Sequence, residues 1–298
     1  MTLVSDVTPI LTAADKQLAD INAANAALSA TNVQQASTIT AQATQIAALQ
    51  AQVANPPTTT TPALPAGWTK TLFSEFFDKP LDPKVWTVRN DVGQDNNSAS
   101  NLASNVTVAG GVLSIKGGRN PAGSAKPFNA GYVDTKGKAF WSGEFRAEAR
   151  LRFPYGPAAY GFWPAWWMRP EDGGDGEIDM MECYPAKFQV SATIHHDYRK
   201  SSDPLHVPHV GKNFPTVDWT TWHAFAVEKG TGYMRYYVDN ALVWDASSVP
   251  WRSDIFDNNR AWNFRHCLQI GDSWGGQPTT ATDFTKTFDT DYIRVLGR

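Results

Sequence analysis

Cysteine is nearly missing from this chain: Cys183 and Cys267 are the two in 298 residues. One bridge or two buried thiols are both open, and a disulfide-built scaffold is excluded. No apolar run is long enough to span a bilayer, so no membrane partner is expected. Neither sign of charge is in excess, with a formal net charge of −3 and a pI of about 6.1. There is no basic stripe, which argues against nucleic acid. Aromatic residues are absent before Trp68, although the chain holds twelve tryptophans. The N-terminus also lacks the basic and continuous apolar segments of a secretory signal peptide.

The region without aromatics has its own pattern. Leu11, Leu18, Ile39, Ile46 and Val53 fall on one heptad position, and Ile21, Leu28 and Leu49 on the other. Asn25, Asn32, Gln35 and Gln42 interrupt this seam. A 3.5-residue period in Ala, Gln and Thr predicts an N-terminal α-helical coiled coil over 1–54. Thr8-Pro9 reads as its start and Asn55-Pro56-Pro57 as its stop. A lone helix of this composition has little to bury, so self-association through 10–54, as a homotrimer, is expected. Residues 55–66, rich in proline and threonine, form a semi-rigid spacer.

From 67 to 298 the pattern is all-β. Short alternating runs such as "GEFRAEARLRF" and "WHAFAVEKG" are broken by Gly, Asn, Asp and Pro. So many short strands predict a jelly-roll β-sandwich. Within it, "GDGEIDMMECY" sets Glu177, Asp179 and Glu182 among Ile178, Met180, Met181 and Cys183. Alternate strand residues share a face, so Glu177 and Asp179 point one way while Ile178 and Met180 enter the core. Strict alternation would bury Glu182 as well, at high cost. A β-bulge at Met180-Met181 returns it to the acid face. Two glutamates separated by roughly 13 Å of strand, leaning together, bring their carboxyls to about 5–6 Å, near the spacing that retaining glycosidases use. A calcium site is the rival reading of the three acids, but the loop geometry it needs is missing. A polar strand face is the other rival, and the apolar bracketing opposes it.

The segment "EIDMME" resembles the E-x-D-x-x-E catalytic motif of family 16 glycoside hydrolases. "GWTKTLFSEFFDKPLDPKVWTV", "GYVDTKGKAFWSGEFRAEARLRFPYG", "GFWPAWWM" and "FDTDYIRVLGR" extend the resemblance over 67–298. It implies a concave glycan cleft and retaining endo-hydrolysis of β-1,3 or β-1,4 bonds in a β-glucan or galactan. It implies Glu177 as nucleophile, Asp179 as its assistant and Glu182 as acid/base. Trp163, Trp167, His195 and Trp274 match cleft positions, and a pyranose face packs well on an aromatic ring. Trp166, out of phase with Trp163 and Trp167, is expected in the core. No cofactor is required. A structural Ca²⁺ is implied at Glu75, the Gly111 backbone and Asp291. Histidines 195, 196, 206 and 209 offer zinc as a rival metal, without cysteine partners to support it. Cys267 and Asp272 stand where many relatives carry Asn and Gly, which leaves the glycan open.

A glycan-cleaving domain on a coiled-coil stalk without an export signal suggests a virion: a phage tail or surface protein made in the host cytoplasm, among other virion proteins. A catalytically inactive glycan-binding module and a bacterial enzyme exported by another route are the alternatives.

Overall fold

The computed structural model describes residues 3–54, 61–154, 159–187, 189–197, 203, 206, 208–248, 253–257 and 259–298. The chain divides into two units, 1–56 and 57–298. The first is one helix, α1 (Leu3–Ala54). It runs through Pro9 instead of starting there. That proline removes one backbone donor near the helix end, where little hydrogen bonding is lost. The helix ends at Ala54, just ahead of Asn55-Pro56-Pro57. Ile10, Leu11, Leu18, Ile21, Leu28, Val33 and Ile39 are all exposed on it. No helix among the described residues is long and apolar enough to cross a membrane.

The second unit is a two-sheet β-sandwich. Among the described residues, ten strands build one sheet, in the order β15 (Ala241–Asp245), β14 (Tyr233–Val238), β13 (His223–Gly230), β8 (Phe145–Arg152), β17 (Thr287–Gly297), β5 (Val112–Arg119), β6 (Phe128–Ala130) and β3 (Ala99–Asn101). Strand β1 (Lys70–Glu75) also pairs with β17, and β4 (Val106–Ala109) with β5. Seven strands build the other: β12 (Val210–Asn213), β11 (Gln189–His195), β10 (Glu177–Tyr184), β9 (Phe162–Pro170), β16 (Trp262–Ile270), β7 (Tyr132–Asp134) and β2 (Thr87–Val88). One apolar core joins them. Phe145, Ala147, Ala149 and Leu151 of β8 meet Phe162, Trp166 and Met168 of β9 and Ile178 and Met180 of β10 within it. Both cysteines are free and buried.

The opposite face of β8 carries charge, yet it is buried. Glu148 accepts from Arg146 Nη2 at 3.0 Å, Arg294 Nε at 2.8 Å and the Tyr292 hydroxyl at 2.8 Å. Arg146 Nη1 also reaches Glu228 Oε1 at 3.0 Å. The end of the spacer helps to cover this network. Arg294 Nη1 donates to the Pro62 carbonyl at 2.7 Å, and Trp68 Nε1 donates to Glu228 at 2.9 Å. Residues 62–66 are therefore docked on the sandwich instead of standing free of it. Each buried charge needs such partners, because an unpaired one would cost several kcal/mol, roughly.

Candidate active site

Alternation along the seven-stranded sheet brings the polar side chains of three adjacent strands to one surface. Trp163, Ala165, Trp167 and Arg169 of β9 line a cavity of about 560 Å³, and Gln189, Ser191, Thr193 and His195 of β11 line its other side. Between them, β10 contributes Glu177, Asp179, Glu182 and Tyr184. The sequence interval from 179 to 182 breaks the two-residue rule, and the pairing shows why. The register of β10 shifts between Asp179 and Glu182 against β11, and between Asp179 and Met181 against β9. This is the expected bulge. Met180 and Met181 are both in the core, and Glu182 returns to the cavity.

Each acid has a different environment. Glu177 Oε2 lies 3.6 Å from Arg169 Nη1, and its Oε1 lies 3.6 Å from His195 Nε2. Asp179 is buried, with its Oδ2 3.2 Å from the same imidazole nitrogen. Burial, then the charges of Glu177 and Glu182, hold the Asp179 carboxyl well above the usual carboxylate range, with Arg169 opposing.

Glu182 is clasped by three donors. Tyr184 OH and Trp163 Nε1 donate to its Oε1 at 2.7 and 3.0 Å, and Thr193 Oγ1 donates to its Oε2 at 2.9 Å. Burial raises its pKa, while the Tyr184 and Thr193 hydrogen bonds pull it down. The charge of Glu177 also raises it, but by less than burial does. The Tyr184 phenol is itself pushed far up, by burial first and then by Glu182, so it stays a donor. Replacing Tyr184 by Phe removes a hydrogen bond that favours the ionised form, so the Glu182 pKa rises. If Glu182 must be protonated to act, the basic limb of the pH–rate profile should move upward in Tyr184→Phe. An unmoved limb would show that the phenol does not tune this carboxyl.

The other expected site residues divide. Trp274 is 52 % exposed on the cavity rim, with Lys187 Nζ 4.7 Å from its ring centroid. Trp163 turns its ring edge toward Glu182, so it holds the acid as well as lining the cavity. Trp167 reaches the cavity but is 6 % exposed: Tyr132 packs on it and its Nε1 donates to Cys267 Sγ at 3.4 Å. It is floor, not an open stacking platform. Trp166 is in the core, as expected.

Of the other histidines, His196 is buried against Phe256 and its Nδ1 lies 3.1 Å from the Pro208 carbonyl oxygen. His206 pairs with Asp197 at 2.9 Å, and His209 packs on His195. Part of that loop lies outside the described residues. Arg169, Tyr184 and Thr193 are the functional candidates that sequence reasoning missed, although each shares alternation parity with a residue it had named.

The three expected calcium positions converge in the other sheet. Glu75 pairs opposite Ile293, and Leu113, two residues after Gly111, pairs opposite Thr290. Strand β8 holds one side of β17, so both approach Asp291 from the other side. Two carboxylates and a carbonyl are hard oxygen donors of the right kind for Ca²⁺. Asp291 already accepts from Arg150 at 2.6 Å, and Glu75 from Trp86 Nε1 at 3.3 Å.

No family model matches the chain. Among curated proteins, glucan endo-1,3-beta-glucosidase A1 of Niallia circulans is 28% identical in an alignment of 276 positions that covers 80% of this chain and 39% of that protein. The chain thus spans well under half the length of this relative. Among solved structures, the laminarinase of Rhodothermus marinus is 25% identical with a TM-score of 0.64, over 77% of this chain and 97% of that one. The laminarinase catalytic domain of Thermotoga maritima is 22% identical with a TM-score of 0.65, over 78% and 98%. In sequence and in fold, about four-fifths of the chain resembles the family 16 glycoside hydrolases of the laminarinase type.

Proposed function

We propose that this protein is a retaining endo-glycosidase that cleaves internal β-1,3 linkages of a β-glucan. The observation that carries the reading is the bulged strand that sets Glu177, Asp179 and Glu182 on one cavity wall, beside Trp163 and Trp274. Glu177, held by Arg169 and His195, attacks the anomeric carbon. Glu182 gives its proton to the leaving oxygen, then takes one from the water that releases the glycosyl-enzyme. Asp179, buried beside Glu177 and set against the same imidazole, orients it. The names of the relatives support β-1,3 over β-1,4 bonds and glucan over galactan. A panel of β-1,3- and β-1,4-linked glucans and galactans, with proton NMR of the first product, tests this. A β anomer from a β-1,3-glucan is expected. An α anomer would overturn retention, and tight binding with no product from any member would make the domain a lectin.

We assign residues 10–54 to self-association, as a homotrimer, because α1 exposes Leu11, Leu18, Ile21, Leu28 and Ile39 of its aliphatic seam. Sedimentation of the full chain should give three times the monomer mass. A monomer would remove the coiled coil, and a dimer would correct the strand number. We also place a structural Ca²⁺ at Glu75, Gly111 and Asp291. Dialysis against a chelator should lower the melting temperature, and added Ca²⁺ should restore it. An unchanged melting temperature would mean that the Arg150–Asp291 pair suffices alone.

A further inference from the structure

We propose that the cleft is also a binding site for a divalent transition metal, zinc by its donors, held by Glu177, Asp179 and His195. One ligand atom from each of the three lies within 4.8 Å of the other two. In tetrahedral coordination with bonds of about 2.0–2.2 Å, neighbouring ligand atoms stand roughly 3.3–3.5 Å apart. Here His195 Nε2 is 3.2 Å from Asp179 Oδ2 and 3.6 Å from Glu177 Oε1. Two edges of the polyhedron are therefore already in place without a metal. Arg169 is on the other oxygen of Glu177, so Oε1 is turned toward the imidazole.

A second observation points to a ligand. Asp179 is buried, yet its Oδ2 makes no hydrogen bond of good geometry, despite the nearby ring nitrogen. A buried carboxylate oxygen in that state is normally matched by a donor or a cation. Three ligands with the fourth position open to a cavity is the form of an accessible zinc site, not of a closed structural one. One nitrogen and two carboxylates suit zinc. Calcium wants six to eight oxygens, and magnesium keeps its waters.

Such a metal takes the lone pair that Glu177 needs for attack and occupies the space where the sugar ring must sit. Zinc therefore blocks hydrolysis reversibly and in competition with glycan. The inhibition rests on the hydrolase reading; the binding does not.

The test is calorimetric titration of the full, untagged chain with ZnCl₂, and with MgCl₂ as comparison. One zinc per chain is expected, with no magnesium binding. Asp179→Asn and His195→Gln should each weaken zinc by about tenfold or more, with circular dichroism confirming their fold. His206→Ala, on the neighbouring loop, should retain wild-type zinc affinity. Unchanged affinity in both cleft variants, or loss in His206→Ala alone, overturns the site. In the assay arm, zinc should raise the apparent KM for β-glucan, and a chelator should reverse this. Zinc bound at these three residues with hydrolysis unaffected overturns the competition. Zinc bound there by a chain that never hydrolyses glycan leaves the metal site standing and removes the hydrolase.

Discussion

Glu177→Gln and Glu182→Gln should each lower hydrolysis of a β-1,3-glucan by about 10⁴-fold or more, while both variants keep the fold and still bind glycan. A well-placed general acid contributes about 10²–10⁴, and an amide cannot replace a carboxylate nucleophile. The two losses differ in kind, and azide separates them. With Glu182→Gln and an aryl glycoside whose leaving group needs no protonation, the glycosyl-enzyme still forms. Azide then attacks from the face that water would use, giving the β-glycosyl azide. With Glu177→Ala no covalent intermediate forms, and azide enters from the vacated side to give the α-azide. Swapped anomers would exchange the two roles. Turnover at the wild-type rate in either variant would sink the assignment. Both side chains face the cavity, so glutamine at either position adds no bulk to the core.

The second large effect is on stability. Glu148→Ala should destabilise the sandwich by about 3–5 kcal/mol, because it leaves the Arg146 and Arg294 guanidinium groups buried without their shared carboxylate. For a domain of this size that is a fall in melting temperature of roughly 10 °C. Replacing all three members by apolar residues of similar volume should cost less, since the one carboxylate that then loses a guanidinium, Glu228, keeps hydrogen bonds from Trp68 Nε1 and the Tyr237 hydroxyl. Thermal melts of the single and triple variants read both. If the triple variant falls further than the single one, the network stabilises the fold in its own right, and the desolvation argument fails here.

Much of the active-site face was legible because strand alternation is local. Once a bulge is required to spare Glu182 from burial, the same counting rule places Tyr184 beside it, and Trp163 and Trp167 extend to Arg169. Alternation assigns a face but not a depth. Trp167 shares parity with Trp163, yet Tyr132 and Cys267, remote in sequence, close over it. The same limit applies to Arg146, Glu148, Arg150 and Arg152, whose every-second-residue spacing reads as a solvated edge. The arrival of Pro62 and Ala63 from the spacer, and of Trp68 just beyond it, encloses the charges nearest them. Glu182 shows a third limit: its three donors come from three strands, so the balance of effects on its proton lies in tertiary structure. The helix α1 was legible for the same reason as the strands, its pattern being periodic and local.

The bulge behaves like a reading frame. From Glu177 to Glu182 is five residues, an odd count that in a regular strand sends the two acids to opposite faces. Deleting either Met180 or Met181 would make the count even without a bulge and would let the ladders of β10 pair regularly on both sides. The two acids would still share a face, the same four pleat steps apart, and Glu182, Cys183 and Tyr184 would keep their partners on β11, because the bulge already absorbs the extra residue. Substitutions cannot make this change, and a single-codon deletion makes all of it at once. The extra residue therefore changes how many methionines lie beneath the acids, and not which face the acids share. A library of in-frame deletions across 178–183, sorted separately for thermal stability and for hydrolysis, should return the loss of Met180 or Met181 in both sorts, and its absence from the hydrolysis sort would show that the bulge itself sets the working distance of the acids.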